Sequence, residues 1–227
     1  MALAFISVYT ENFTPDSNPL NPTYWTVDPN YPDDTIAAVS GVGEITNLTD
    51  MYGTNYYSGT PSLDSDCYIS FKLATWENSD PSTNLGASVY LKIDLADDTT
   101  YILFGITSKA DDVGGITIDF SKSVSGSLTS FYSQDSTINL NDVYTLAVIG
   151  NTAYAFRNGV QLSTGDVSDV SGTTNGEFDL AINDSVDDVQ MAQVVVGNVS
   201  NPTPSSSGNS TTAIEDGPAM IYQLVHT

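Results

Sequence analysis

Apolar and polar residues alternate with a period of two along most of the chain, the pattern of half-buried β-strands. In YISFKL, Ile69, Phe71 and Leu73 share one face and Tyr68, Ser70 and Lys72 the other. VYLKIDL sets Val89, Leu91, Ile93 and Leu95 against Tyr90, Lys92 and Asp94. YILFGIT aligns Ile102, Phe104 and Ile106, and ITIDF aligns Ile116, Ile118 and Phe120 against Thr117 and Asp119. Asp/Gly/Ser clusters such as Asp97-Asp98 and Asp111-Asp112-Val113-Gly114-Gly115 separate these runs. Strands this short, joined by tight turns, predict a sandwich. In VYTLAVIGNTAYAFRNGVQLSTG, Gly150-Asn151 and Asn158-Gly159 are two-residue hairpin signals, because Gly and Asn tolerate positive φ. They predict a meander with strands at 143–149, 153–157 and 160–164. EFDLAI follows with Phe178, Leu180 and Ile182 inward, then VQMAQVVV as a further strand. No segment holds a 3.6-residue period for three turns; short helical turns are expected only near 17–24 or 140–143.

Two stretches break the alternation. Residues 14–66 are rich in Pro, Asn, Asp, Gly and Tyr, with short apolar pieces at Thr35–Val39 and Glu44–Leu48. Residues 201–217 are a Pro/Ser/Thr/Gly-rich linker, and 218–227 read as one last strand carrying Met220, Tyr222 and Leu224. That strand either pairs with the N-terminal strand near Phe5–Tyr9 in the same sandwich or adds to a neighbouring subunit. Residues 1–200 then form one domain.

Composition narrows the function. The chain has 227 residues, 28 Asp plus Glu, 5 Lys plus Arg, and a net charge of −23. Five cations cannot build a phosphate-binding groove, so nucleic acid is excluded as a partner, and an anionic membrane surface fails on the same count. No apolar run approaches the roughly 18 residues of a membrane-spanning helix. The acids are 23 Asp against 5 Glu, which favours turns over helices. Hydrophobic residues at 40% supply a core, so the acidity does not mean disorder. The opening MALAFISVYTENF has no basic stretch and an apolar run broken by Ser7 and Thr10, unlike a secretory signal. The uncharged polar surface nevertheless suits an extracellular protein or one released on a virus particle.

The order of these features resembles a known group. ENFTPDSNPLNPTYWTVDP, then alternating strands, then YTLAVIGNTAYAFRNGVQL, is similar to the concanavalin A-like lectin/glucanase superfamily in its laminin-G-like form, of the kind found in bacteriophage and bacterial surface proteins. There a strand "Y-x-L-x-V-x-G-N" crosses a hairpin into "x-Y-x-x-x-N-G-x-x-L". The resemblance spans about residues 5–200 and implies an all-β, two-sheet antiparallel jelly roll. It implies no activity, since the fold hosts lectins, glycosidases and structural modules.

In the glucanase branch of that group the catalytic carboxyls come from a strand reading Glu-x-Asp-x-(x)-Glu, and a glycosidase needs two carboxyls flanking the bond. Only Glu177-Phe178-Asp179 begins the pattern; Ala181 and Ile182 stand where the second Glu belongs. The single His226 adjoins the C-terminus and Cys67 has no His near it in sequence, so nucleophile triads are not expected either. Cys67 reads as a buried structural thiol. The chain is therefore expected not to be an enzyme.

Glycan binding needs an aromatic platform and polar groups for hydroxyls. Trp76, Tyr52, Tyr56 and Tyr57 are the candidates, the three tyrosines crowding MYGTNYYSG, while Trp25 is expected in the core. Lectins and laminin-G-like domains often hold Ca2+ through loop acids. Asp184, Asp187 and Asp188 crowd one turn and are the calcium candidates, against a reading as solvated turn residues. The expectation is a structural or displayed component of a phage particle, such as a capsid decoration or fibre-like accessory protein, with weak glycan binding. It would be a homo-oligomer or bind a capsid or other virion protein. The alternative is a lectin-like module of a bacterial surface or secreted protein, with a cell-surface glycan as partner; a glucanase-type glycosidase is the minor one.

Overall fold

A computed structural model of the protein describes residues 2–18, 20–29, 35–45, 52–77, 85–96, 99–109, 112–173, 176–182, 188–200 and 221–223. For Ala2, Tyr52, Val113 and residues 221–223 the description covers the backbone alone. Among these residues there is no helix. Hydrogen-bonded turns stand at 22–24 and at 140–141, where short helical turns were expected.

Two antiparallel sheets face each other. The nine-stranded sheet holds β1 (Ala2–Glu11), β3 (Ile36–Val39), β4 (Val42–Ile45), β6 (Cys67–Glu77), β11 (Tyr144–Ile149), β12 (Thr152–Arg157), β13 (Val160–Asp166), β15 (Asp188–Ser200) and β16 (Ile221–Gln223). Its order is β13-β12-β11-β6-β15-β1-β16, with β4 joined to β15 and β3 to β4. The seven-stranded sheet holds β2 (Trp25–Val27), β5 (Tyr52–Tyr57), β7 (Gly86–Leu91), β8 (Tyr101–Lys109), β9 (Asp112–Val124), β10 (Ser127–Thr137) and β14 (Glu177–Ala181), in the order β10-β9-β8-β7-β14-β5-β2.

The alternation sorts residues as expected. Ile69, Phe71 and Leu73 meet Val89, Ile102, Phe104, Ile106, Ile118, Phe120, Phe178 and Leu180 in one core between the sheets. Both hairpin signals hold. Ile149 pairs with Thr152 across Gly150-Asn151, Gly150 having φ 56°. Arg157 pairs with Val160 across Asn158-Gly159, with φ 53° and 75°, the two left-handed residues that a tight hairpin of primed type demands.

The N-terminal segment is tied down by Glu11, which is 5% exposed. Its carboxylate accepts hydrogen bonds from Trp25 Nε1 (3.0 Å), Tyr9 Oη (3.0 Å) and the Phe13 amide (2.7 Å). These bonds draw Trp25 into the core, where its ring meets Phe178 edge-on at 4.9 Å. At the far end of the chain Ile221–Gln223 pair antiparallel with Ala2–Ala4 of the same chain. Met220 and Leu224, named beside Tyr222 as partner-strand residues, lie outside the described residues.

A second, smaller apolar cluster covers the outward face of the nine-stranded sheet: Leu3, Phe5, Tyr68, Ala147, Phe156 and Val199. Phe5 meets Tyr68 at 5.0 Å and Phe156 at 5.8 Å, both edge to face, the geometry aromatic quadrupoles favour.

Candidate functional site

β14 turns Phe178 and Leu180 into the core, so Glu177, Asp179 and Ala181 point outward from the seven-stranded sheet. Register carries that outward row across the sheet. Asp179 lies between Thr54 of β5 and Ser88 of β7; Ser88 opposes Gly105 of β8, and Gly105 opposes Asp119 of β9. One step along, Glu177 lies between Tyr56 and Tyr90, followed by Leu103 and Ser121.

These outward positions are polar but not open. Glu177 and Asp179 are each 5% exposed, Thr54 is 0%, and Ser88, Ser121 and Ser123 are also buried. A sheet face open to water would leave such side chains exposed, so the outward face is covered at these positions. Buried carboxylates require hydrogen bonds, and Tyr90 Oη donates one to Asp179 Oδ2 at 2.6 Å. The Tyr90 ring is in turn held edge-on by Tyr101 at 5.5 Å. Thr54 Oγ1 is buried with no hydrogen-bond partner among the described residues.

A cavity of about 240 Å³ lies beside β5, lined by Tyr56, Tyr57, Ser58, Gly59, Ser62, Leu63 and Thr173. Sites that enclose drug-sized ligands run to roughly 300–1,000 Å³, so this one suits a single ring of a longer chain. A further cavity of about 200 Å³, beside Tyr9, Glu11 and Asn21, belongs to the Glu11 knot.

The structure separates the aromatic candidates. Tyr56 is half-buried on the outward face beside Glu177 and lines the cavity. Tyr57 faces inward at 6% exposure, stacks with Tyr9 at 6.1 Å, and donates from Oη to the Pro61 carbonyl at 3.1 Å. Tyr52 occupies the outward position of β5 beyond Thr54, opposite Ala181, and is described by its backbone. Trp76 stands on the other sheet, at the end of β6. Register shifts between Gln190 and Gln193 let Trp76 pair with Val189 and pack against the core, with its Nε1 buried. Tyr90 and Thr54 were not among the sequence candidates. Their signal was present: both alternate with core residues, but nothing in the sequence told which outward positions the fold covers.

Of the calcium candidates, Asp184 and Asp187 lie outside the described residues. Asp188 pairs with Glu77 at the start of β15. Burial first, then the Glu77 charge, raise its pKa; burial and Asp188 together raise that of Glu44. Among the described residues no three His, Cys, Asp or Glu side chains are grouped to hold a metal ion. Cys67 is fully buried, and burial pushes its thiol up to about 12. Arg157 pairs with Asp142, ahead of its own hairpin.

No protein-family model matches the chain, and no curated protein matches it by sequence. Solved structures do match in three dimensions. The carbohydrate-binding module CBM66 from Bacillus subtilis aligns with a TM-score of 0.51 at 16% identity, over 79% of this chain and 95% of that one. The β-glucanase of Bacillus licheniformis aligns at 0.54 and 13%, over 84% and 97%. The CBM2 module of the evolved Dit of Lactobacillus casei BL23 phage J-1 aligns at 0.54 and 8%, over 88% and 98%. The chain has the concanavalin A-like jelly-roll fold, shared by carbohydrate-binding modules and glucanases. Among the described residues no helix is long and apolar enough to cross a membrane.

Proposed function

We propose that this protein is a non-catalytic glycan-binding jelly roll, displayed outside the cell as part of a larger assembly such as a phage particle. The observation that carries the binding reading is the cavity beside β5 of the seven-stranded sheet. A tyrosine platform, Tyr56, lines that cavity, which is sized for one sugar ring, and pairs across the sheet with Glu177. Aromatic faces stack on the apolar faces of sugars, and carboxylates accept from their hydroxyls.

The non-catalytic reading rests on β14. Glu177 and Asp179 match the opening of the glucanase-type pattern and share one face, but Ala181 occupies the next outward position, opposite Gly86. Asp119 lies three strands away, roughly 14 Å at about 4.8 Å per strand. That is beyond the roughly 5–9.5 Å that separates paired glycosidase carboxyls. A glycan held here meets a carboxylate pair without the second Glu.

Display on a particle is supported by the likeness to a module of a phage Dit and by the net charge of −23, which keeps copies apart in solution. The test is retention of the purified protein on a panel of soluble glycans, with reducing-end release followed in the same samples. Tyr56→Ala is expected to weaken binding at least tenfold and to leave the fold intact. Hydrolysis by the wild type would overturn the non-catalytic reading.

A further inference from the structure

Resting on the glycan-binding reading of the cavity beside β5, we infer that the second cavity, beside Glu11, is a further subsite of the same site. The ligand is then a glycan chain engaged over several rings, not a single ring. The two cavities share one row of tyrosine rings. Tyr57 lines the first and Tyr9 the second, with ring centroids 6.1 Å apart. Tyr24 stacks on Tyr9 at 3.9 Å. It also abuts Gly59, which lines the first cavity: a Cβ there would lie 2.8 Å from Tyr24 Cδ1 and 2.7 Å from Tyr57 Oη. Only a residue without a side chain lets both rings close on that loop. The row is fixed by its neighbours. Tyr9 Oη donates to Glu11 at 3.0 Å, the Ser58 amide donates to the Tyr24 carbonyl at 2.8 Å, and Trp25 pairs with Tyr57. Pockets held this way lose little freedom on binding. One ring in each cavity, and the one or two needed to cross the tyrosine row, make a chain of about four.

Both cavities are reached from solvent. Ser58, Ser62 and Thr173 are exposed at the first, and Thr14, Pro15 and Asn21 at the second. Apart from Glu11, the polar side chains at the second cavity are the hydroxyls of Thr14 and Ser17 and the amide of Asn21, beside the Tyr9 phenol. Such groups donate and accept as sugar hydroxyls do. Asn21 Oδ1 accepts the Thr23 amide at 3.0 Å, and its NH2 remains a donor. The Glu11 carboxylate is buried and already engaged by Trp25 Nε1, Tyr9 Oη and the Phe13 amide, so it shapes the wall without contacting sugar. At about 240 and 200 Å³, each cavity alone falls below the roughly 300 Å³ at which sites for drug-sized ligands begin. On one chain the second contact becomes intramolecular, so two weak subsites compound into one stronger site.

The experiment is a chain-length series. Whichever of laminarin, barley β-glucan, levan and dextran the protein retains most strongly is cut into size-fractionated oligosaccharides of two to six rings, and each is titrated by calorimetry. Affinity is expected to rise at least tenfold between two rings and five, and then to level off. In NMR spectra a five-ring chain should shift the side-chain NH2 signals of Asn21 together with the amides of Ser62 and Thr173, whereas a two-ring fragment should shift only those two amides. Asn21→Asp keeps the acceptor for Thr23 and removes the donor. It should weaken five-ring binding at least fivefold and two-ring binding less than twofold, while Tyr56→Ala weakens both. An affinity already complete at two rings would overturn the inference. So would a five-ring chain that leaves the Asn21 signals in place, or an Asn21→Asp variant whose loss is the same at both lengths. Failure of the wild type to bind any of the four intact polysaccharides would instead overturn the glycan-binding reading on which this one rests.

Discussion

Replacing Arg157 by Met should be among the most damaging changes to a polar residue. The guanidinium spans the end of the sandwich: Nε donates to Asp142 Oδ2 at 2.6 Å, Nη1 to Ser136 Oγ at 2.6 Å, and Nη2 to the Thr137 carbonyl at 3.1 Å. It thus ties β12 of one sheet to β10 of the other. Asp142 is nearly buried, its side chain 5% exposed against 23% for Arg157, and its other oxygen accepts from Asn158 Nδ2 at 2.6 Å. Arg157→Met leaves that carboxylate buried with only the Asn158 amide. Breaking a buried pair from one side costs about 3–5 kcal/mol. Partial exposure of the guanidinium places this one near the lower figure, about 3 kcal/mol. That is a large part of the roughly 5–15 kcal/mol that holds a typical domain. Urea denaturation is the assay, because guanidinium chloride would screen the charges being weighed. In the double variant with Asp142→Asn the orphaned charge is gone, so the combined loss should fall short of the sum of the singles by about 2 kcal/mol. Lys109→Ala supplies the contrast: its pair with Asp135 is exposed on both sides, 42% and 59%, and its loss should leave stability nearly unchanged. An Arg157→Met loss as small as that of Lys109→Ala would refute the reasoning.

Other outcomes follow from the same structure. Asp188 and Glu44 have raised pKa values, through burial first and then a neighbouring negative charge, Glu77 for Asp188 and Asp188 for Glu44. The folded chain therefore holds protons that the unfolded chain releases, and these groups favour folding at acid pH and lose that contribution as pH rises through their raised values. Asp188→Asn should then stabilise by some tenths to about 1 kcal/mol at pH 7 and show no gain near pH 4, read as Tm against pH for both proteins. Phe156→Ala, in the outward cluster with Phe5, should cost about 3–5 kcal/mol by urea denaturation. Gly105→Ala would drive a methyl group against Ser88 and the Ala87 carbonyl where β7 and β8 approach. It should lower stability by about 1–3 kcal/mol, and a shift within experimental error would contradict that packing. Cys67, with its thiol near 12, should resist thiol reagents in the folded state and react at once in urea.

How much was legible depended on what each segment buries. The long strands announced themselves because one face is apolar and the other polar: Ile102, Phe104 and Ile106 are all in the core. The meander was legible through its turns, since few residues other than Gly and Asn take positive φ. β2 and β3, of three and four residues, were hidden inside a Pro- and Asp-rich stretch because their pairing partners, not their own composition, make them strands. β10, SLTSFYSQDST, escaped because it is an edge strand with mostly exposed side chains and so carries little alternation. Trp76 illustrates a different limit. The bulges opposite Gln190–Gln193 change the side of the sheet on which it falls, and such an irregularity leaves no mark in a hydropathy pattern. The Glu177–Asp179 pair was readable as a broken catalytic motif. Its neighbours Thr54 and Tyr90, both far upstream of β14 and more than thirty residues apart, meet it only through long-range register.

The most direct test of the account is a calorimetric titration of the wild type with a soluble uncharged glucan, run beside Tyr56→Ala, with reducing ends assayed after prolonged incubation. The account requires saturable binding by the wild type, at least tenfold weaker binding by the variant, and no increase in reducing ends. Release of oligosaccharides, or equal binding by the two proteins, would contradict it.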